Sequence, residues 1–185
     1  MNTRTTDEAY VCEELVQYLT FRLDGEAFAT GICRVREVLE YTSVTRVPCS
    51  PDYMLGVINL RGSVVPVVDL RLQFGMATSA PTVDTCIIII EVMVDGETTV
   101  LGVLADSVQE VIELKQEQMV PAPTLGTRVE NRFIRAIGKL DDHFVIVLNM
   151  DKVFSPEVLV RLGDGGDGIA GAMSETQAEI AIADG

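Results

Sequence analysis

The side chains best suited to acid–base or nucleophilic chemistry are scarce in this sequence. His143 is the single histidine among 185 residues, and it follows Asp141 and Asp142 in a polar stretch that is typical of a solvated turn. No serine, threonine or cysteine nucleophile can be combined with a further histidine, and no GxxxxGK[ST] or GxGxxG phosphate-binding loop occurs. We therefore predict no catalytic residue and no cofactor. The alternative from another class is a small hydrolase or ligand-binding barrel that uses these three residues.

Cysteine spacing gives no metal site either. The four cysteines, Cys12, Cys33, Cys49 and Cys86, contain no CxxC pair, and one histidine cannot supply a multi-histidine site. They are interpreted as reduced thiols, with Cys33 and Cys86 buried because both lie in apolar runs. The sequence predicts no bound metal.

Two oppositely charged residues lie in or beside very apolar segments and could recognise a partner. Arg61 lies at a predicted turn between two apolar strands, and Glu37 lies within the apolar run 32–39. A charge taken out of water needs a partner, so Arg61 should pair with Glu37 or with Asp69. Such a pair could simply join two strands, or it could be a polar contact beside an exposed aliphatic groove of an interface.

The net negative charge of the chain argues against nucleic acids and anionic membranes as partners. The 14 Lys and Arg residues against 28 Asp and Glu give a net charge of −14, and clustered cations are what nucleic acids and anionic membranes require. The first 16 residues lack the apolar stretch of a signal peptide, and the most apolar run, Cys86–Val94, is too short to span a bilayer. We expect a cytoplasmic protein with no nucleic-acid partner and no membrane insertion.

Alternation of apolar and polar residues, with period two, predicts that strands dominate the elements that must position these side chains. Strands with Asp-Gly turns are expected around Asp24-Gly25 and Asp95-Gly96, with further strands at Val64–Leu70 and Phe144–Met150. Pro66 lacks an N–H and should lie on an edge strand or at a bulge. Short helical pieces are predicted at three places, Ser50–Leu55, Leu70–Phe74 and Ser155–Leu162.

The same order of elements occurs twice. An Asp-Gly hairpin, a VxEV strand and a Val-Pro turn are each found in both halves, and residues 60–74 match residues 140–154 with a shift of 80. Units of this size bury little surface alone. We predict a mostly β fold with two small β-barrel subdomains, about 18–80 and 84–155, that share a hydrophobic core and carry a few short helices. The alternative is that Asp-Gly turns and VxEV runs are common in β proteins and that their recurrence here does not indicate a repeat.

The ends differ from the predicted domain, residues 17–155, in composition. Residues 1–16 are expected to be a flexible segment, and residues 156–162 a short helix. Residues 163–185 are rich in glycine and acidic residues, contain no basic residue, and are predicted to be a disordered tail.

Several motifs together resemble the CheW family of chemotaxis coupling proteins. They are VREV at 35–38, TRVP at 45–48, MVPAP at 119–123 and, most specifically, GVINLRGSVVPVVDLR at 56–71; the likeness covers about residues 18–154. It implies two small β-barrels around a shared core. It also implies a non-catalytic adaptor in the cytoplasm, recruited to membrane-associated arrays, that joins chemoreceptor tips to the regulatory domain of the histidine kinase CheA.

The resemblance also implies particular contact residues. Val35, Glu37, Arg61 and Gly62 match positions at the receptor-contacting face, and the Pro-rich loop with Val120 and Leu125 matches a region of kinase contacts, where related sequences often have a basic and an aromatic residue. A CheW-like scaffold for a kinase pathway other than chemotaxis is the remaining alternative.

Overall fold

Two β-sheets and two one-turn helices make up the part of the chain that the computed structural model describes, residues 15–124 and 129–155. One sheet has six strands and the other has five. Both α-helices have four residues, and no helix in the described part is long and apolar enough to cross a membrane. The strands are β1 (Val16–Leu23), β2 (Glu26–Gly31), β3 (Val35–Glu40), β4 (Met54–Leu60), β5 (Ser63–Asp69), β6 (Cys86–Val94), β7 (Glu97–Ala105), β8 (Ser107–Leu114), β9 (Met119–Val120), β10 (Ile134–Lys139) and β11 (Phe144–Leu148), and the helices are α1 (Leu70–Gln73) and α2 (Met150–Val153).

Both predicted Asp-Gly hairpins are confirmed. Asp24 and Asp95 adopt φ values of 48° and 51°, and the glycines that follow them have φ values of 79° and 80°. Left-handed conformation at both central residues is the turn type whose twist matches paired antiparallel strands, and aspartate and glycine tolerate it well. The turns therefore define β1–β2 and β6–β7 as hairpins.

The two halves of the chain exchange strands. The six-stranded sheet has the order β8-β1-β2-β11-β10-β9, and the five-stranded sheet has the order β3-β6-β7-β5-β4. Each sheet thus combines the first hairpin of one half with the VxEV strand and the last hairpin of the other half. The sequence segments 18–80 and 84–155 consequently do not coincide with the two sheets, because the repeat sets the order of elements but not their pairing partners.

Three groups of buried side chains confirm a mostly β fold around a shared core. The largest lies between the sheets and includes Phe21 and Phe28 from one sheet and Ile88 and Val103 from the other. A smaller cluster lies on the opposite face of each sheet. β6 contributes to the shared core with its even-numbered residues and to the five-stranded sheet's own cluster with Ile87 and Ile89. This burial on both faces explains why the first five residues of β6, Cys86–Ile90, are all apolar.

Neither sheet is a closed barrel. β3 and β4 are the two edges of the five-stranded sheet, and the edge of β4 is partly covered by Thr45, which exchanges two backbone hydrogen bonds of 2.8 and 2.9 Å with Val57. This bridge passes close to Gly56, whose φ is 145°. A Cβ built there would be 2.1 Å from the Thr45 carbonyl oxygen, so the close approach requires glycine.

Several local predictions were wrong. Ser50–Leu55 forms turns followed by the start of β4 instead of a helix, while the predicted turn at Leu70–Phe74 is confirmed as α1. Pro66 is not on an edge strand, since β5 lies between β4 and β7. The alternative, a bulge, is met nearby: the pairing of β4 with β5 shifts register between Met54 and Gly56, opposite Val68 and Val67, and the pairing of β5 with β7 begins only at Val67. Cys86 is buried as predicted, but Cys33 is exposed because it lies in a 3-10 turn.

Parts of the predicted organisation lie outside the described residues. These are the flexible segment except for its last two residues, of which Val16 already belongs to β1, together with Cys12, the helix at 156–162 and the acidic tail at 163–185.

Candidate partner-binding site

The turn between β4 and β5 places Arg61 at one end of the five-stranded sheet. Leu60, the last residue of β4, pairs with Ser63, the first residue of β5, so the turn contains Arg61 and Gly62 alone, with φ values of 51° and 84°. The side chain of Asn59 accepts a 2.8 Å hydrogen bond from the Gly62 N–H. This bond and the left-handed glycine fix the direction in which the arginine leaves the backbone.

Arg61 pairs with Glu37, one of the two partners predicted for it. Arg61 Nη1 donates to Glu37 Oε1 at 2.9 Å, and Nη2 donates to Oε2 at 3.1 Å, which is a two-pronged guanidinium–carboxylate contact. Glu37 lies on β3 and Arg61 follows β4, so the pair spans the two edges of the sheet. The arginine side chain is 78% exposed and the glutamate is 25% exposed. The arginine is therefore a surface charge and not the desolvated one that the sequence suggested.

The strands that carry this pair also have exposed aliphatic residues. On β3, Val35 is half-buried and packs against the shared core, whereas Val38 is 42% exposed. Val64, two residues after Gly62, is 40% exposed. We name Val35, Glu37, Arg61 and Gly62 the β3 contact surface. An exposed guanidinium and exposed aliphatic side chains on the same strands are groups that protein interfaces use.

A β-bulge shapes the start of β3. The pairing of β3 with β6 shifts register between Val35 and Glu37, with Val35 opposite Ile90 and Glu37 opposite Ile89. Arg36, the residue at the bulge, forms an ion pair with Glu91 of β6. Bulges redirect side chains at sheet edges, and here the valine points to the shared core while the glutamate two residues later faces the arginine.

The residues predicted for a second contact lie on the other sheet. Val120 is the last residue of β9, the edge strand of the six-stranded sheet, where it pairs with Ile137 and is 40% exposed. Leu125 lies outside the described residues. The structure thus separates Val120 from the β3 contact surface by placing the two on different sheets.

Asp69, the other partner considered for Arg61, belongs to a buried network that the sequence analysis missed. Both carboxylate oxygens of Asp69 accept hydrogen bonds from Arg71, at 3.0 and 2.9 Å, and Arg71 Nη1 reaches Asp106 at 2.7 Å. The side chains of Arg71 and Asp69 are only 5% and 3% exposed. The hydrogen bond and charge of Asp69 raise the pKa of Arg71 further above its ordinary value.

This network joins the two sheets. Asp106 lies between β7 of the five-stranded sheet and β8 of the six-stranded sheet, and its other carboxylate oxygen accepts a 2.7 Å hydrogen bond from the Asp24 N–H in the β1–β2 turn. The letters DLR at 69–71 contain two of its members, but the third is 35 residues away from Arg71. No sequence spacing connects it to them.

The residues of the alternative enzyme hypothesis lie at the surface. His143 contacts Asp142 in an exposed turn, with side chains 51% and 85% exposed. The hydrogen bond from His143 lowers the pKa of Asp142. Exposed neighbours in a turn lack the enclosed surroundings that shift a catalytic group strongly. Within residues 15–124 and 129–155, no three His, Cys, Asp or Glu side chains converge to bind a metal ion.

Comparison with known proteins matches nearly the whole described part of the chain. Residues 17–157 match the family model of the CheW-like domain. The chain is 34% identical over 139 residues to the probable chemotaxis protein CheW of Rhizobium etli, covering 75% of this chain and 87% of that protein. It is 33% identical over 141 residues to the chemotaxis protein CheW of Rhizobium meliloti, covering 76% of this chain and 88% of that protein.

A solved structure agrees with the sequence matches. The crystal structure of the scaffolding protein TtCheW from Thermoanaerobacter tengcongensis superimposes with a TM-score of 0.68 at 32% sequence identity. The similarity covers 76% of this chain and 93% of that one. The two-sheet arrangement described above is therefore shared with a protein whose sequence is also related.

Proposed function

The chain belongs to the CheW family, and from this membership we propose that it is a non-catalytic adaptor that couples chemoreceptor tips to the histidine kinase CheA in chemotaxis. The adaptor would be recruited through these contacts to membrane-associated receptor arrays. Membership in a family that includes a named scaffolding protein supports a function without turnover.

The β3 contact surface is the part that we assign to the receptor. The observation that carries this assignment is the two-pronged Glu37–Arg61 pair, which holds an exposed guanidinium at a sheet edge. A receptor tip made of antiparallel helices offers a ridge of apolar residues flanked by polar ones, and such a ridge can pack on aliphatic groups while charges at its rim set the register. The valine at position 35 and the turn glycine keep these groups in place.

The second surface, on β9 and the loop after it, is assigned to the kinase. Val120 is aliphatic, exposed and on an edge strand, a combination that permits both apolar packing and pairing of backbone groups with a partner. Leu125 is included from the family resemblance alone. Placing the two contacts on different sheets would allow both partners to be held at once.

Charge reversal at Arg61 tests the receptor assignment. Arg61→Glu places a negative charge opposite Glu37, and we expect receptor-tip binding to weaken by about tenfold or more, with the fold retained. Binding is measured by titration of a soluble receptor-tip fragment and by co-sedimentation with receptor-containing membranes and CheA. The matched control is Arg132→Glu, because Arg132 forms an exposed ion pair with Glu130 elsewhere on the surface.

A charge exchange separates recognition from a purely structural function. The double variant Glu37→Arg with Arg61→Glu can re-form an ion pair between the same strands, so it should restore thermal stability but not receptor binding. If the exchange restores binding, the pair only joins the strands and the receptor assignment is wrong. Val120→Asp should reduce CheA binding while receptor binding persists; the reverse pattern would contradict the assignment of the second surface.

A further inference from the structure

A charged residue stands immediately before each of the two VxEV strands. Arg34 precedes β3 and Asp106 precedes β8. Arg34 forms an ion pair with Asp151 of α2, and Asp106 forms an ion pair with Arg71 of α1. Asp151 and Arg71 are both the second residue of a one-turn helix, and 80 positions separate them, which is the shift of the internal repeat. Arg34 is one residue before the first VxEV motif and Asp106 is two residues before the second, so the two halves build similar contacts with the charges reversed.

The two contacts differ in burial. The Arg71 side chain is 5% exposed and has the additional partner Asp69, and its partner Asp106 is 28% exposed, whereas the side chains of Arg34 and Asp151 are 37% and 33% exposed. Water screens half-exposed charges far more than buried ones. The start of β8 is consequently held firmly, while the start of β3 depends on a contact that can be weakened without unfolding the protein.

Asp151 holds β3 relative to its neighbour as well. While one oxygen of its carboxylate binds Arg34, the other accepts a 2.9 Å hydrogen bond from the Met93 N–H near the end of β6. β3 pairs with β6 from Val35 onward, directly after Arg34. The Asp151 carboxylate thus connects Arg34, the residue before β3, with β6, the strand that pairs with β3. This connection lies just before the bulge that precedes Glu37.

We propose that Asp151 is a positioning residue for the β3 contact surface: through Arg34 and Met93 it fixes the start of β3 and hence the orientation in which Glu37 and Arg61 meet the receptor. This inference rests on the proposed function. It adds that a helix from the second half of the chain, which carries no contact residue itself, controls receptor affinity at a strand of the first half.

Two variants remove the ion pair from opposite sides. Asp151→Asn retains an oxygen that can accept the Met93 hydrogen bond but removes the charge, and Arg34→Met retains the aliphatic stem. We expect each to weaken receptor-tip binding by about two- to fivefold, because a half-exposed ion pair shifts the population of the competent conformation by no more than that. The double variant should bind no more weakly than either single variant. CheA binding should be unchanged in all three.

The control variant is Lys152→Ala, which removes an exposed charge from the same helix. A second readout that does not need the receptor is hydrogen exchange, in which Asp151→Asn should accelerate exchange of the β3 amides and leave those of β8 unaffected. The inference is overturned if Asp151→Asn changes neither receptor affinity nor β3 exchange, or if it weakens CheA binding to the same degree. If the unaltered protein does not bind the receptor tip, the proposed function fails, and the exchange data alone then decide whether Asp151 positions β3.

Discussion

Replacing Arg71 by methionine should lower the free energy of unfolding by about 3–5 kcal/mol, because it leaves a buried carboxylate without its cation. Asp69 has a side chain that is 3% exposed and would lose two hydrogen bonds of 3.0 and 2.9 Å, retaining one from the backbone N–H of residue 71. The link to Asp106 between the two sheets would be lost as well. Such a loss is a large fraction of the stability of a single domain.

The assay is urea unfolding followed by circular dichroism, since the chain contains no tryptophan to report by fluorescence. Arg61→Met is the matched control, because the Arg61 side chain is 78% exposed and its loss should cost about 1 kcal/mol or less. A cost below about 1 kcal/mol for Arg71→Met would refute the argument, since it would mean that the network is not effectively buried.

Two further results are expected. Gly56→Ala should destabilise the protein by more than about 2 kcal/mol in the same urea assay, because its Cβ would lie 2.1 Å from the Thr45 carbonyl oxygen. Gly62→Ala should cost only about 1 kcal/mol, since a Cβ there would meet no atom within 4 Å. Equal costs for the two variants would contradict this reasoning. Cys86 is buried, and desolvation raises its pKa, so at pH 8 it should react with a thiol reagent only after the protein unfolds. Cys33 is exposed and should react in the native state. Peptide mass spectrometry shows which of the two cysteines is labelled.

Half of the candidate site could be inferred from local sequence and half could not. An arginine between two apolar strands needs an acceptor, and the sequence narrowed the choice to Glu37 or Asp69. The choice itself depends on the tertiary structure: the edge strands β3 and β4 approach each other closely enough for Arg61 to reach Glu37, while Asp69 binds Arg71. Exposure was misjudged at Arg61 because a residue at a turn projects beyond the apolar strands that flank it.

The amino-acid sequence by itself determined the Asp-Gly hairpins and the helical turn at α1, since each depends on neighbours a few residues apart. It also showed the doubled order of elements, because the same motifs recur in both halves. Only the tertiary structure decided which half supplies each strand of a sheet, and with it the ion pairs Arg34–Asp151 and Arg71–Asp106. Those contacts join residues that are far apart in the chain. Their existence depends on how two sheets bury one common core, a global free-energy minimum that no local spacing encodes.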